Sequence, residues 1–197
     1  MRIVAGTLRG KTIDAPRGEQ TRPTSDRVRE ALFSSLYSLR GGFEGAVVLD
    51  AFAGSGALGI EALSRGSQRV VFFERADEAH AVLKRNIAAC KLTPAQASVM
   101  RRDVMSKPPT QAQGVFDLVF LDPPYAFAPE EVADLLKRME ADGSLARDAI
   151  IVYEHALTST RETAAALESI GLCIVSSKKY GKTGVTIAMP EDGEALE

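Results

Sequence analysis

Residues 47–59 read Val-Val-Leu-Asp-Ala-Phe-Ala-Gly-Ser-Gly-Ala-Leu-Gly, the stretch that most narrows what this chain can fold into. Its apolar, β-branched opening has the make-up of a buried strand, and its small, glycine-rich continuation leads straight into a helical pattern. Strand, tight turn and helix N-terminus follow in that order. Gly54, Gly56 and Gly59 have the spacing of a dinucleotide-type turn, where missing Cβ atoms allow a sharp bend and let a ligand lie against backbone. Asp50, at the end of the strand, restricts that ligand. A helix N-terminus suits a pyrophosphate, but a carboxylate at the loop entrance repels one, so a cationic or zwitterionic ligand is favoured.

The rest of the chain alternates around this stretch. Residues 2–5 and 11–14 are β-prone arms of a hairpin around Gly6–Gly10, and 17–23 reads as a polar loop. Thr24 sits where an N-cap belongs, ahead of a helix whose stripe is Val28, Ala31, Leu32, Ser35, Leu36 and Leu39, with Arg27, Arg29 and Glu30 off it. After a helix over about 57–65 come a strand at 69–74, a helix capped by Asp77 with stripe Ala79, Val82, Leu83, Ile87 and Cys90, a strand at 97–101, and a strand at 116–121. The last third continues with a helix at 129–139, a strand at 149–154 and a helix at 161–169. Strands at 173–177 and 184–189 flank a basic turn, Lys178–Thr183, and an acidic tail at 191–197 is expected to fray. Cys90 and Cys173 read as core residues, and neither His80 nor His155 has a second ligand at metal spacing, so no metal is expected.

This alternation predicts an α/β fold, a mostly parallel sheet with helices on both faces and one antiparallel strand at its end. Such sheets bind ligands beyond the carboxyl ends of their strands. Asp50, Glu74, Asp103 and Asp122 all fall at strand ends, so one crevice is expected to collect them. Glu74 lies twenty positions after Gly54, where a Rossmann-like unit puts a carboxylate on ribose hydroxyls.

Asp122-Pro123-Pro124-Tyr125 suits chemistry on an exocyclic amine. The lone pair of such an amine is delocalised into its ring, and acceptors on both N–H bonds favour the pyramidal, reactive form. Asp122 offers a carboxylate and Pro123 a carbonyl, two prolines rigidify the turn, and Tyr125 provides a surface on which a base can stack.

With 197 residues, 45% of them hydrophobic, the chain suits one globular domain. No eighteen-residue apolar run suggests a membrane span, two distant cysteines suggest no disulfide framework, and a cytoplasmic protein is the default. The net charge of −2 is uneven: residues 1–40 hold eight Lys/Arg against four Asp/Glu. A basic segment on an acidic body suits an approach to phosphates.

The Asp50 and glycine-turn stretch resembles the first motif of class I S-adenosylmethionine (SAM) methyltransferases, and the tetrad at 122–125 resembles their exocyclic-amine branch. Arg2–Gly6, Arg9-Gly10-Lys11, the block Arg22-Pro23-Thr24-Ser25-Asp26-Arg27-Val28-Arg29-Glu30-Ala31-Leu32-Phe33, and residues 50–66 together resemble the bacterial 16S ribosomal RNA guanine-N2 methyltransferase family, over nearly the whole chain. The resemblance implies a seven-stranded class I methyltransferase fold with an RNA-facing hairpin and helix extension at 1–40 and a catalytic core at 41–190. It implies methyl transfer from SAM, leaving S-adenosylhomocysteine, to the N2 amine of a guanine in the small ribosomal subunit or its assembly intermediate, position 966 in the family. Asp122, Pro123, Pro124 and Tyr125 are then catalytic. Asp50, Phe52, Gly54, Ser55 and Gly56 hold the methionine end of the cofactor, Glu74 its ribose, and Asp103 and Val104 its adenine. Arg9, Lys11, Arg22, Arg27, Lys178, Lys179 and Lys182 are candidate phosphate contacts. An amine methyltransferase acting on DNA, protein or another RNA shares the tetrad, a nicotinamide oxidoreductase shares the glycines, and a non-catalytic assembly factor shares the fold.

Overall fold

The computed structural model describes residues 1–16 and 26–191. Arg22, the expected cap Thr24, the polar loop at 17–23 and the tail beyond 191 lie outside the described residues. The elements run α1 (Asp26–Arg40), β1 (Val47–Asp50), α2 (Ala57–Ser64), β2 (Arg69–Phe73), α3 (Asp77–Ala89), β3 (Ala97–Met100), β4 (Phe116–Leu121), α4 (Pro129–Ala141), β5 (Leu145–Ala156), α5 (Thr160–Glu168), β6 (Leu172–Tyr180) and β7 (Thr183–Pro190). The strands form a seven-stranded, mostly parallel sheet in the order β3-β2-β1-β4-β5-β7-β6. The chain divides into two compact units, Met1–Arg102 and Asp103–Glu197.

In the first unit β1, β2 and β3 are parallel, with Val48 opposite Val70 and Val70 opposite Ala97. Val48, Leu49 and Val70–Phe73 are buried, as strands covered on both faces require. Six of the eight residues of α2 are buried, including Glu61 and Ser64. A helix this short and this covered needs partners all round. Gly59 supplies one side, since a Cβ there would lie 2.3 Å from the Phe72 ring. The N-terminal hairpin supplies another. Its arms meet through the bridge Arg2 to Thr12, and Glu61 accepts the amides of Val4 (2.8 Å) and Ala5 (3.0 Å). The Ser64 hydroxyl donates to Ala5 O at 2.5 Å and accepts the Leu8 amide at 2.9 Å.

Arg29, expected off the packed stripe of α1, is fully buried. It donates to Arg2 O (2.5 Å) and to Asp26 (2.8 Å), and its Nε lies 4.0 Å from Glu61. Phe33 is buried as well, whereas Leu39 is 40% exposed, so the packed face of α1 is rotated from the predicted one. Asp77 is not the cap of α3: Ala76 occupies that position, the Glu74 carboxylate accepts its amide at 2.7 Å, and Asp77 pairs with Arg101.

In the second unit β4 and β5 are parallel and β7 is antiparallel to both β5 and β6. β5 is longer than predicted and contains His155. The basic turn is only Gly181-Lys182, because Lys178, Lys179 and Tyr180 extend β6. Cys173 is exposed on β6 and is not core, while Cys90 is buried as expected. The pairing of β6 with β7 carries a register shift between Ile174 and Ser176.

Removing the Glu61 carboxylate strands two backbone amides and the Arg65 guanidinium that it holds at 2.8 Å. Glu61→Ala is expected to cost about 3–5 kcal/mol in urea unfolding, as breaking a buried charge network does; a loss below about 1 kcal/mol would show that the hairpin is held some other way.

Candidate active site

In the first unit, the glycine turn is tied to the end of β2: Ala53 N–H donates to Phe73 O at 2.9 Å and Gly56 N–H to Ala53 O at 2.6 Å. Gly56 has φ +80°, a backbone conformation that favours glycine, and a Cβ there would lie 2.4 Å from Leu83 Cδ1, so a larger residue would also have to displace that methyl. Asp50, 3% exposed, accepts the Gly59 amide at 3.0 Å and so braces the first turn of α2. Burial pushes its carboxyl up from 3.8 to about 7; the Gly59 N–H opposes this and the Glu74 charge adds to it. Glu74 is half-buried, with one oxygen on the Gly54 amide (2.8 Å) and the other on the Ala76 amide (2.7 Å). Asp50, Glu74 and the turn are thus brought together. Phe52 is half-buried, and the buried Ser55 gives its carbonyl to Asn86 at 2.9 Å.

In the second unit, Asp103 Oδ1 accepts the Met105 amide at 2.9 Å, while its carbonyl accepts the Lys107 amide at 3.0 Å and the Ser106 hydroxyl at 3.1 Å. Val104 beside it is buried. In the tetrad after β4, Asp122 is half-buried, Pro123 buried and Pro124 exposed. Pro124 O accepts the Phe127 amide at 3.1 Å, closing the turn. Tyr125 is 72% exposed, so one face of its ring is open to solvent. Pro123, Pro124 and Tyr125 line a depression with Tyr153, Glu154 and His155 from the end of β5.

His155 is buried, and its Nδ1 lies 2.9 Å from Ala156 O, which fixes that nitrogen as the donor. Nε2 then accepts the Thr186 hydroxyl at 2.9 Å. Burial lowers its pKa, so it is a neutral wall residue. Among the described residues no group of three His, Cys, Asp or Glu could hold a metal.

The candidate phosphate contacts differ in their surroundings. Arg9 and Arg27 are exposed, but Lys11 Nζ donates to Ala89 O at 2.6 Å, at the C-terminal end of α3. In the second unit Lys178, Lys179 and Lys182 are exposed near the tip of the β6-β7 hairpin. Sequence reasoning missed Asn86 and Glu61. Glu61 is a polar residue in an otherwise apolar helical run, and that mismatch is the signal that could have found it, whereas Asn86 follows Lys84 and Arg85 and carries no such signal.

A sheet of this order, with a glycine turn after its first strand, defines a class I SAM-dependent methyltransferase fold. Magnesium protoporphyrin IX methyltransferase of Synechocystis PCC 6803, solved with bound SAM, shares that fold at 15% identity and a TM-score of 0.66, covering 84% of this chain and 79% of that one. Escherichia coli yhhF superposes with a TM-score of 0.79 at 32% identity, covering 97% and 98%. Residues 1–189 match the family described as Conserved hypothetical protein 95. The chain is similar to YlbH of Bacillus subtilis, 37% identical over 194 residues (95% of this chain, 97% of that one), and to ribosomal RNA small subunit methyltransferase D of Haemophilus influenzae, 41% identical over 136 residues (68% of each). The chain belongs to this RsmD-type methyltransferase family.

Because the folded value for Asp50, about 7, lies above the ordinary 3.8, the folded chain binds the extra proton between those values and stability falls as pH rises through that window. Asp50→Asn cannot ionise. From pH 4 to pH 8 the unfolding free energy of the variant is expected to gain on that of the parent by up to ~4 kcal/mol in urea denaturation; a gap independent of pH would mean that Asp50 is not the titrating group.

Proposed function

We propose that this chain transfers a methyl group from S-adenosylmethionine to the exocyclic N2 amine of a guanine in 16S ribosomal RNA, within the small subunit or its assembly intermediate in the cytoplasm. The observation that carries the reading is the tetrad at 122–125, with its exposed tyrosine, in a chain whose relatives are named for small-subunit ribosomal RNA methylation.

The residues of the first unit suit this cofactor. Asp50 is a buried carboxylate raised to about 7, and a cationic ammonium nearby would let it ionise. A Cβ on Gly54 would meet nothing within 4 Å, so the turn leaves open space against its backbone. Glu74 already takes two amides, yet each carboxylate oxygen has a second lone pair for a ribose hydroxyl. Ser55, Gly56 and Phe52 complete the methionine side, with Asp103 and Val104 on the adenine. When bound, SAM supplies an electrophilic methyl on a sulfonium.

The guanine, unpaired or flipped from its stack, rests on Tyr125. Asp122 and the Pro123 carbonyl accept its N2 protons and concentrate the lone pair on nitrogen. N2 would take the methyl of a bound SAM as the S–C bond breaks to a neutral thioether, and Asp122 would take the proton that N2 then releases. Positioning and electrostatics supply most of the rate. Arg9, Lys11 and Arg27, with Arg22 outside the described residues, make residues 1–40 the RNA-facing extension, and Lys178, Lys179 and Lys182 add phosphate contacts.

Labelled SAM, unmodified small subunits and nucleoside mass spectrometry test the reading. N2-methylguanosine is expected, reduced at least about 10²-fold in Asp122→Ala, and methyl on any other nucleoside would overturn it. Neutralising Arg9 and Arg27 is expected to weaken subunit binding and lower its salt slope by about 1 for each arginine that pairs with a phosphate, with SAM binding unchanged; equal loss of both would refute that division of labour.

A further inference from the structure

One side chain joins the N-terminal arm to the glycine turn. Asn86 of α3 is 2% exposed and uses both ends of its amide. Oδ1 accepts the Asp14 amide at 2.9 Å, and Nδ2 donates to Asp14 O at 3.0 Å and to Ser55 O at 2.9 Å. The exchange with Asp14 copies the reciprocal pair made by two strand residues, so α3 extends the arm as a neighbouring strand would. The remaining donor reaches the carbonyl between Gly54 and Gly56.

The chemistry is specific to asparagine. Leucine fills similar space with no donor or acceptor, aspartate keeps the acceptor but presents charge to two carbonyls, and glutamine adds a methylene in a closed site. A buried amide is tolerated only when its partners stay in place. Any displacement of Ser55 O or of Asp14 therefore disturbs the other through the same planar group. Asp14 lies on the arm between Lys11 and Arg27, and Ser55 lies in the turn assigned to the cofactor.

We infer that Asn86 is a positioning residue that couples the arm to the turn, so that filling the turn orders the arm and engaging the arm tightens the turn. Such coupling is reciprocal by linkage. Its extension to RNA rests on the proposed RNA-facing role of residues 1–40, whereas its operation within the chain does not.

The test uses the full chain and S-adenosylhomocysteine, with saturation verified by calorimetry and folding by thermal melting. In the parent, the ligand is expected to slow hydrogen exchange of the Ile13 and Asp14 amides by about 5-fold or more and to tighten small-subunit binding by a similar factor. In Asn86→Leu both ratios are expected to fall toward one, even if each affinity also falls. A variant that loses stability or affinity yet keeps both ratios would overturn the proposal, because a merely structural asparagine behaves that way. If Asn86→Leu does not fold, the parent still decides, since unchanged exchange at Ile13 and Asp14 on ligand binding would overturn the proposal. Exchange that responds through Asn86 while subunit affinity does not would uphold the internal coupling and refute the RNA-facing role of the arm.

Discussion

A fully buried carboxylate organises the N-terminal half of this protein. Glu61 lies inside an eight-residue helix that could not persist alone, and its charge is balanced by two backbone amides and by Arg65, with Arg29 at 4.0 Å. Replacing the whole charged set by apolar groups could yield as much stability, since desolvating charges consumes much of their attraction. What it could not do is define where Val4 and Ala5 sit. Only one register of the hairpin brings both amides to Glu61, and the same register brings Ala5 O and Leu8 N–H to Ser64. The buried charge therefore fixes, by directed hydrogen bonds, the alignment that also buries Ile3 and Ile13.

The same economy marks the acids around the glycine turn. Asp50 and Glu74 read as ligand contacts in the sequence, and both are already engaged with backbone: Asp50 on Gly59, Glu74 on Gly54 and Ala76. These bonds do not compete with the proposed role. They hold each carboxylate at a set place, and a carboxylate oxygen can accept twice. Asp50 carries a cost for this, because burial without a counter-cation leaves it poised near neutrality. That cost would be relieved by positive charge, which the sulfonium amino acid proposed for this turn carries.

Sequence makes the frame legible because the frame repeats. β2 and β4 are short apolar runs with clear breaks, and β1 runs into glycine, so their limits agree with the prediction to within a residue. Buried polar groups carry no such period. Arg29 finds its carbonyl partner 27 residues away and Asn86 finds Asp14 72 residues away, so neither can be recognised before the chain is folded. β6 departs from its predicted limits for another reason. It stands at the end of the strand order with a register shift, and an edge strand bearing exposed lysines has no apolar alternation to read. The exposure of Cys173 has the same cause. In the candidate site, the acids and glycines are legible as residue types at strand ends, but Asn86, which ties Ser55 to Asp14, looks like one more polar residue after Lys84 and Arg85.

Charge distribution completes the picture. Opposite charges over the whole chain nearly cancel, with a net of −2, while residues 1–40 hold eight Lys/Arg against four Asp/Glu. A uniformly basic protein of this size would bind any polyanion, since phosphate contacts carry no sequence information. If residues 1–40 face RNA as proposed, an acidic remainder would repel RNA that approaches in another orientation and so separate specific docking from random adsorption. For such an arrangement the basic arm must be held rigidly relative to the turn in its own unit, because a few cations on a loose tether would select nothing. Glu61, Ser64 and Asn86 supply that rigidity with hydrogen bonds that hydrophobic packing alone could not direct.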